Sequence, residues 1–209
     1  RRNKTDRTDA EALLEALRSG ELPTVPVKRV EQQALVALHR VREQWMATRT
    51  ARINVLRGLL GEHGLLLPAT AAGALHAVPT VLADAPLPAH LRHVLTLLYE
   101  EVRTIETHLT AVDAELRTVA ATDPVISRLR TIPGVGVLTA TALVGSVGNI
   151  HAFRRGRQFA SWLGLTPWEY SSGGQRRLGG ITKRGDRYLR CLLTHGARAV
   201  LTAAQRRIR

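Results

Sequence analysis

The chain has 209 residues, 44% of them hydrophobic and only 4% aromatic, enough for one or two cores built from Leu, Val, Ile and Ala. Its single cysteine, Cys191, excludes an internal disulfide or a cysteine zinc cluster and suits a reduced cytosol, and no apolar run is long enough to span a bilayer. The formal net charge of +13 is unevenly spread: Arg1 to Asp123 holds 15 Lys+Arg against 15 Asp+Glu, and Pro124 to Arg209 holds 15 against 2. Such a concentrated basic region is the footprint of a polyanion partner, most often nucleic acid, and its cations are not laid along one amphipathic helix as a membrane surface would require.

Thr5 to Leu17 reads as a short helix with Ala10, Leu13, Leu14 and Leu17 on one face, ended by Gly20 and Pro23. Asp6 and Asp9 lie three apart at its start, so both carboxylates can point the same way. They fit two roles: complements to the helix dipole, or ligands for a hard divalent cation such as Mg²⁺. Leu22 to Val27 is an extended connector. Val30 to about Leu60 reads as one long helix with Leu35, Leu38, Trp45, Leu56 and Leu59 on one side. Arg42, Arg49 and Arg52 interrupt that side, either as a solvent-exposed stretch or as a cationic stripe gripping a nucleic-acid backbone.

Leu65 to Ala89, with four prolines, reads as short helical pieces and turns forming a flexible joint. Leu91, Leu95, Leu98, Val102, Ile105, Leu109, Val112, Leu116 and Val119 then alternate four and three apart, the seam of a coiled coil. Its partner is either the Val30–Leu60 helix folded back antiparallel or a second copy of the chain, which would make a homo-oligomer.

Asp123-Pro124 opens another helix, with Thr122 as the expected cap. Ile132-Pro133-Gly134-Val135-Gly136-Val137, leading into a Leu138–Val147 helix, resembles the helix-hairpin-helix modules that hold a DNA backbone, with Gly134 and Gly136 bringing N–H groups up to a phosphate. The competing reading is a plain helix connector. Phe153 to Leu163 sets Arg154, Arg155 and Arg157 beside Phe159 and Trp162, a helix with a basic edge and an apolar underside. Ser171-Ser172-Gly173-Gly174 follows, with Arg176, Arg177, Lys183, Arg184 and Arg187 at close intervals. Turn residues of this kind predict a hairpin or irregular loop. A hydroxyl among such cations is either part of a solvated polar turn or a nucleophile whose developing phosphate charge is neutralised. Arg187 to Ala204 reads as a last helix with Leu189, Leu192, Leu193, Ala197, Val200 and Leu201 inward, and Cys191 and His195 as packing residues. The expected fold is mainly α: residues 1–22 a short helical piece, 23–122 a long-helix coiled-coil region with its Ala/Pro-rich joint, and 123–209 a small basic helical domain.

Taken in order, several stretches carry a resemblance. Lys4-Thr5-Asp6-Arg7-Thr8-Asp9-Ala10, Glu31-Gln32-Gln33-Ala34-Leu35, Leu56-Arg57-Gly58-Leu59-Leu60, Thr131 to Gly136, Gly156 to Leu165, Ser171 to Gly174 and Gly179 to Asp186 resemble the DEDD-type insertion-sequence transposases, the bridge-RNA-guided recombinases that include the pilin-gene invertases. The resemblance implies an RNase-H-like domain holding Mg²⁺ through four acidic residues, the last two matching Asp6 and Asp9. It makes residues 1–22 the C-terminal remnant of that domain and 123–209 a basic C-terminal transposase domain, with a serine that becomes joined to DNA, matching Ser172 with Ser171 as the neighbouring candidate. It further implies DNA and a structured guide RNA as partners, a site composed from more than one protomer, and a bacterial cytoplasmic location at the nucleoid. The family places a first Asp and a Glu ahead of Asp6, and the chain opens at Arg1, so the expectation is a polypeptide with half a metal site that by itself does not cut DNA. The alternative expectation is a non-catalytic nucleic-acid-binding and dimerisation module.

Overall fold

The computed structural model describes residues 5–20 and 27–208. As expected, it is mainly helical: among these residues are eight α-helices, one 3₁₀ turn and a single two-stranded antiparallel sheet. Helix α1, Asp6–Ser19, starts where Thr5 and Thr8 cap one another, the Thr8 N–H donating to Thr5 Oγ1 at 3.3 Å, and ends at Gly20 in the left-handed region. Its apolar stripe is present but uncovered, with Leu13, Leu14 and Leu17 all more than half exposed.

Helices α2 (Val30–Glu62) and α4 (Ala89–Thr122) form the long pair. The predicted seam of α4 is its buried side: Leu95, Val102, Ile105, Leu109 and Leu116 are buried. They pack on α2, whose Leu35, Ile53, Leu56 and Leu60 are buried. The partner left open by the periodicity is therefore the antiparallel helix of the same chain. Polar contacts fix the alignment: Arg42 Nε donates to Asp113 Oδ1 at 2.6 Å, Arg49 Nη2 to Glu106 Oε1 at 2.7 Å, and Arg52 Nε to Glu101 Oε2 at 2.8 Å. Both readings of this arginine row change accordingly. The side chains of Arg42 and Arg49 are only 16% and 17% exposed and lie in the helix interface, committed to carboxylates about 50 to 70 residues further along the chain. We expect Arg49→Gln to cost about 1–2 kcal/mol of stability in urea denaturation, because Glu106 loses a partly desolvated partner. DNA affinity should stay within twofold of the parent; a large drop in affinity would return this row to the interface.

The Ala/Pro-rich joint is one helix, α3 (Ala71–Asp84), not a set of short pieces. Thr70 caps its start by accepting from the Gly73 N–H, and Ala74, Leu75, Val78 and Leu82 face the α2–α4 pair. Arginines hold both ends: Arg57 donates to the carbonyls of Pro68 and Ala69, and Arg92 to those of Ala83 and Ala85. Pro79 lies inside this helix, on its exposed side.

Helices α5 (Pro124–Leu129) and α6 (Val137–Ser146) follow. Asp123, not Thr122, caps α5: its carboxylate accepts from the N–H groups of Val125 and Ile126, while Thr122 closes α4 by donating to Val119 O. Packing runs straight across this boundary. Ile126, Ala140 and Ala120 share one buried cluster, and α6 lies on both α2 and α4. Buried Gln32 joins α2 to α6, donating to the carbonyls of Val144 and Val147 at 3.0 and 3.2 Å and accepting from the Arg29 N–H. These are carbonyls at the α6 C-terminus that have no helical partner, so the glutamine satisfies them without water. After a 3₁₀ turn at Ile150–Ala152 come α7 (Gly156–Trp162), the hairpin β1 (Pro167–Glu169) and β2 (Leu178–Ile181), and α8 (Arg187–Ile208). Leu163 and Leu189 are buried with Ala142 and Leu143 and seat this last part on α6.

Candidate nucleic-acid interface

The hairpin extends beyond its two strands to a tight tip. The Tyr170 N–H donates to Arg177 O, and Ser172 bridges Gln175, whose N–H donates to Ser172 O at 3.1 Å. Gly173 and Gly174 are the two turn residues, with φ of 58° and 78°. Two successive positive φ values are the signature of a type I′ turn, whose twist suits a hairpin and which glycine adopts without a Cβ penalty. The paired glycines thus place Ser172 at the exposed end of a ribbon.

The two serines differ. Ser171 is engaged: its hydroxyl donates to Glu169 Oε1 at 2.7 Å and accepts from the Arg177 N–H at 3.3 Å, and Arg176 lies 3.5 Å from the same carboxylate. Strand alternation sends Ser172 to the opposite face, toward solvent.

The hairpin base is held by close backbone contact. The Thr182 and Lys183 N–H groups donate to Thr166 O and Gly164 O. Arg190 donates from one nitrogen to both Leu163 O and Gly185 O, at 2.8 and 3.1 Å. Asp186 caps α8 by accepting from the Leu189 N–H. Gly164 and Gly185 make this junction possible: a Cβ on Gly185 would strike the Trp162 carbonyl, and one on Gly164 would lie 2.7 Å from Arg184 N.

Arg154, Arg155, Arg157, Arg176, Arg177, Lys183, Arg184 and Arg187 are all exposed. Arg154, Arg155 and Arg157 lie at the start of α7, which rests on the Phe153, Phe159 and Trp162 rings. Arg184 sits over the Trp168 ring, 4.0 Å from its centroid. The only two acids after Pro124 are Glu169 and Asp186, and both are occupied locally, so the positive field of this region is almost unopposed. The glycine turn before α6 divides its labour. Gly134 has a φ of 84° and lets α8 cross it closely at Gly196, while Gly136 starts α6 with open space beside it. Cys191 and His195, expected as packing residues, are exposed, as are Val200 and Leu201 beyond them.

Asp6 and Asp9 sit in the exposed first turn of α1. Two carboxylates do not enclose a hard cation. Among the described residues no group of three or more His, Cys, Asp or Glu side chains comes together that could hold a metal. No helix of the described residues is long and apolar enough to cross a membrane.

One polar cluster was not foreseen. His39, buried on α2, is bonded at Nδ1 to Tyr188 Oη (3.0 Å) and at Nε2 to Thr141 Oγ1 (2.9 Å). Thr141 donates its proton to Val137 O at 2.7 Å, so it must accept from His39 Nε2–H, which leaves Nδ1 to accept from Tyr188. Burial, reinforced by the nearby Arg42 cation and opposed by Asp113, holds the imidazole neutral with its pKa lowered to about 4. Burial also raises the Tyr188 phenol, keeping it a donor. The triad ties α2, α6 and the first turn of α8 together beneath the hairpin junction. Because the folded value lies below the unfolded one, the unfolded chain takes up the proton first. Stability is full above pH 6.5 and falls as the pH drops toward 4, by about 2 kcal/mol at pH 5. Urea denaturation at pH 7 and pH 5 should show this loss in the parent and not in His39→Gln; equal losses in both would remove the histidine as its source.

Comparison with known proteins places both ends of the chain. Residues 126–209 match the transposase IS116/IS110/IS902 family, and residues 1–64 match the DEDD transposase of the IS110 type. A probable family 20 transposase of Pseudomonas aeruginosa is 46% identical over 202 residues, covering 95% of this chain and 60% of the relative. The transposase for insertion sequence element IS1111A of Coxiella burnetii is 42% identical over 201 residues, 95% of this chain and 55% of the relative. The transposase for insertion sequence element IS1328 of Yersinia enterocolitica is 36% identical over 199 residues, 95% of this chain and 59% of the relative. The chain thus spans somewhat over half the length of these relatives. The hairpin and its cations lie in the first matched segment, and Asp6 and Asp9 in the second.

Proposed function

We propose that this chain, whose residues 1–64 and 126–209 match transposase families of the IS110/IS116 type, forms the DNA-joining part of an insertion-sequence transposase, with Ser172 as the nucleophile. The observation that carries this reading is the exposed Ser172 at the tip of a tight glycine turn, in a lobe whose cations are nearly unopposed. In the step proposed, Ser172 Oγ loses its proton and bonds to a DNA phosphorus. One strand oxygen leaves and takes up a proton, so the protein is held to the other strand end by a phosphoserine ester. This ester conserves the bond for rejoining. In this proposal Arg177, on the hairpin, offsets charge growing on the phosphate, and Arg154, Arg155, Arg157, Arg176, Lys183, Arg184 and Arg187 hold the backbone on either side. The Gly136 N–H, at the open start of α6, adds an uncharged contact of the same kind.

DEDD-type transposases usually use a divalent metal. Asp6 and Asp9 are the carboxylates this chain would contribute to a magnesium site, completed by acids outside the described residues. Contacts to phosphate carry no sequence information, so selection of the DNA site is proposed to come from pairing with a structured RNA, and the protein's share is backbone grip.

The reading is tested by joining the chain to the part of the Pseudomonas aeruginosa relative that it does not cover, incubating it with insertion-sequence end DNA and Mg²⁺, and mapping any covalent adduct by mass spectrometry. The expected product is a nucleotide remnant on Ser172. An adduct on Ser171, or on no serine of the hairpin, would overturn it. DNA binding without an adduct would leave a binding module only.

A further inference from the structure

Resting on that reading, we propose that the hairpin face bearing Ser172 is a stacking platform for one unpaired base of the DNA strand beside the attacked phosphate. The faces of the ribbon are distinguishable by their contacts. Ser171 and Arg176 both meet the Glu169 carboxylate on one face. Trp168 and Tyr170 are on the other, their ring centroids 6.4 Å apart and their planes within 22°. Alternation puts Ser172 on this second face, two residues beyond Tyr170, about 7 Å along the strand and within the reach of one nucleotide. The opposite strand supplies Gly179 under the rings. A Cβ there would lie 3.6 Å from Trp168 Cβ and 3.8 Å from the Tyr170 ring, in van der Waals contact, which places Gly179 beneath both residues.

Arg184 covers Trp168, whereas Tyr170 is 67% exposed and has no such cover. Apart from its stack on Trp168, this large exposed ring has no apolar neighbour to bury it and no part in a core. Its surroundings choose the occupant. Arg177 lies directly opposite Tyr170 on the same face, and Arg184 covers the neighbouring Trp168 ring, while the sole hairpin acid points to the other face. An aromatic surface among cations suits a flat, electron-rich group attached to a phosphate, which describes a nucleobase. Stacking reads any base, so the platform would position the strand without selecting sequence, and only where that base is out of a paired helix. Duplex distortion at the joining site would supply it.

The test uses this chain with two DNA duplexes of one sequence, fully paired or carrying a single bulged 2-aminopurine. The chain should prefer the bulged duplex about tenfold and quench its fluorescence. Tyr170→Ala should reduce that preference to near unity and abolish the quench, with affinity for the paired duplex within twofold of the parent. Tyr170→Phe should restore both. An unchanged preference in Tyr170→Ala, or an equal loss on both duplexes, would overturn the platform. So would stronger quenching by the same bulge made in RNA. Binding to both DNA duplexes without discrimination removes the platform alone, whereas no binding to either removes the DNA reading beneath it as well.

Discussion

Ser172→Ala is expected to lower covalent DNA joining by about a thousandfold or more in the joined protein described above, and to leave DNA affinity within twofold. The size follows from the role: a nucleophile that forms a bond cannot be replaced by its neighbours, and the loss of one exposed hydroxyl removes almost no binding surface. Ser171→Ala should behave differently. Its hydroxyl connects Glu169 to the Arg177 N–H, so its removal loosens the hairpin and should reduce joining by about tenfold through misplacement of Ser172. Strand joining under single-turnover conditions and gel-shift affinity, measured on both variants, separate these roles. If Ser171→Ala were the dead variant and Ser172→Ala the mild one, the assignment would have to be exchanged.

Gly185→Ala should be the most disruptive single methyl in the basic lobe, costing about 2–4 kcal/mol and about 5–10 °C in melting temperature. The new Cβ would meet the carbonyl of Trp162 and the backbone of Leu163, neither of which can swing aside as a side chain would. The segment from Thr182 to Asp186 would have to lift off the end of α7, breaking the Lys183–Gly164 and Arg190 bonds that anchor the hairpin. Gly180→Ala is the control: it lies on β2 with no atom within 4 Å of its new Cβ and should stay within about 0.5 kcal/mol of the parent. Thermal denaturation of the two variants side by side decides the matter. Equal melting temperatures would mean that the junction is looser than the backbone contacts indicate.

What could be read from residues alone followed the range of the forces involved. The α4 seam was legible because it repeats within one helix, and the hairpin because paired glycines specify its turn locally. Charge counting found the basic lobe because its two acids are too few to hide it. Partners distant in sequence were harder. Arg42, Arg49 and Arg52 look like an exposed stripe until Asp113, Glu106 and Glu101 are brought alongside. Gln32 and His39 are polar residues with no burial signal of their own; their hydrogen-bond partners come from α6 and α8. Prolines suggested a broken joint where Thr70, Arg57 and Arg92 instead secure the ends of α3. Asp6, Asp9 and Ser172 gained their assigned roles only from the family resemblance, because two acids and a serine are common and their meaning depends on partners outside their own stretches.

The three cross-helix ion pairs make the α2–α4 couple self-measuring. Sliding α4 by seven residues would still present leucines to leucines. It would bring Arg42 opposite Glu106 but set Arg49 against Tyr99, leaving a guanidinium stranded. Such a slip would also displace the end of α4 by about 10 Å and carry α6, with the carbonyls of Val144 and Val147, away from Gln32. Leucines alone tolerate either spacing; the unevenly spaced charges admit one. The long pair is thus a gauge, and the position of the distant serine is set by arginines more than a hundred residues before it.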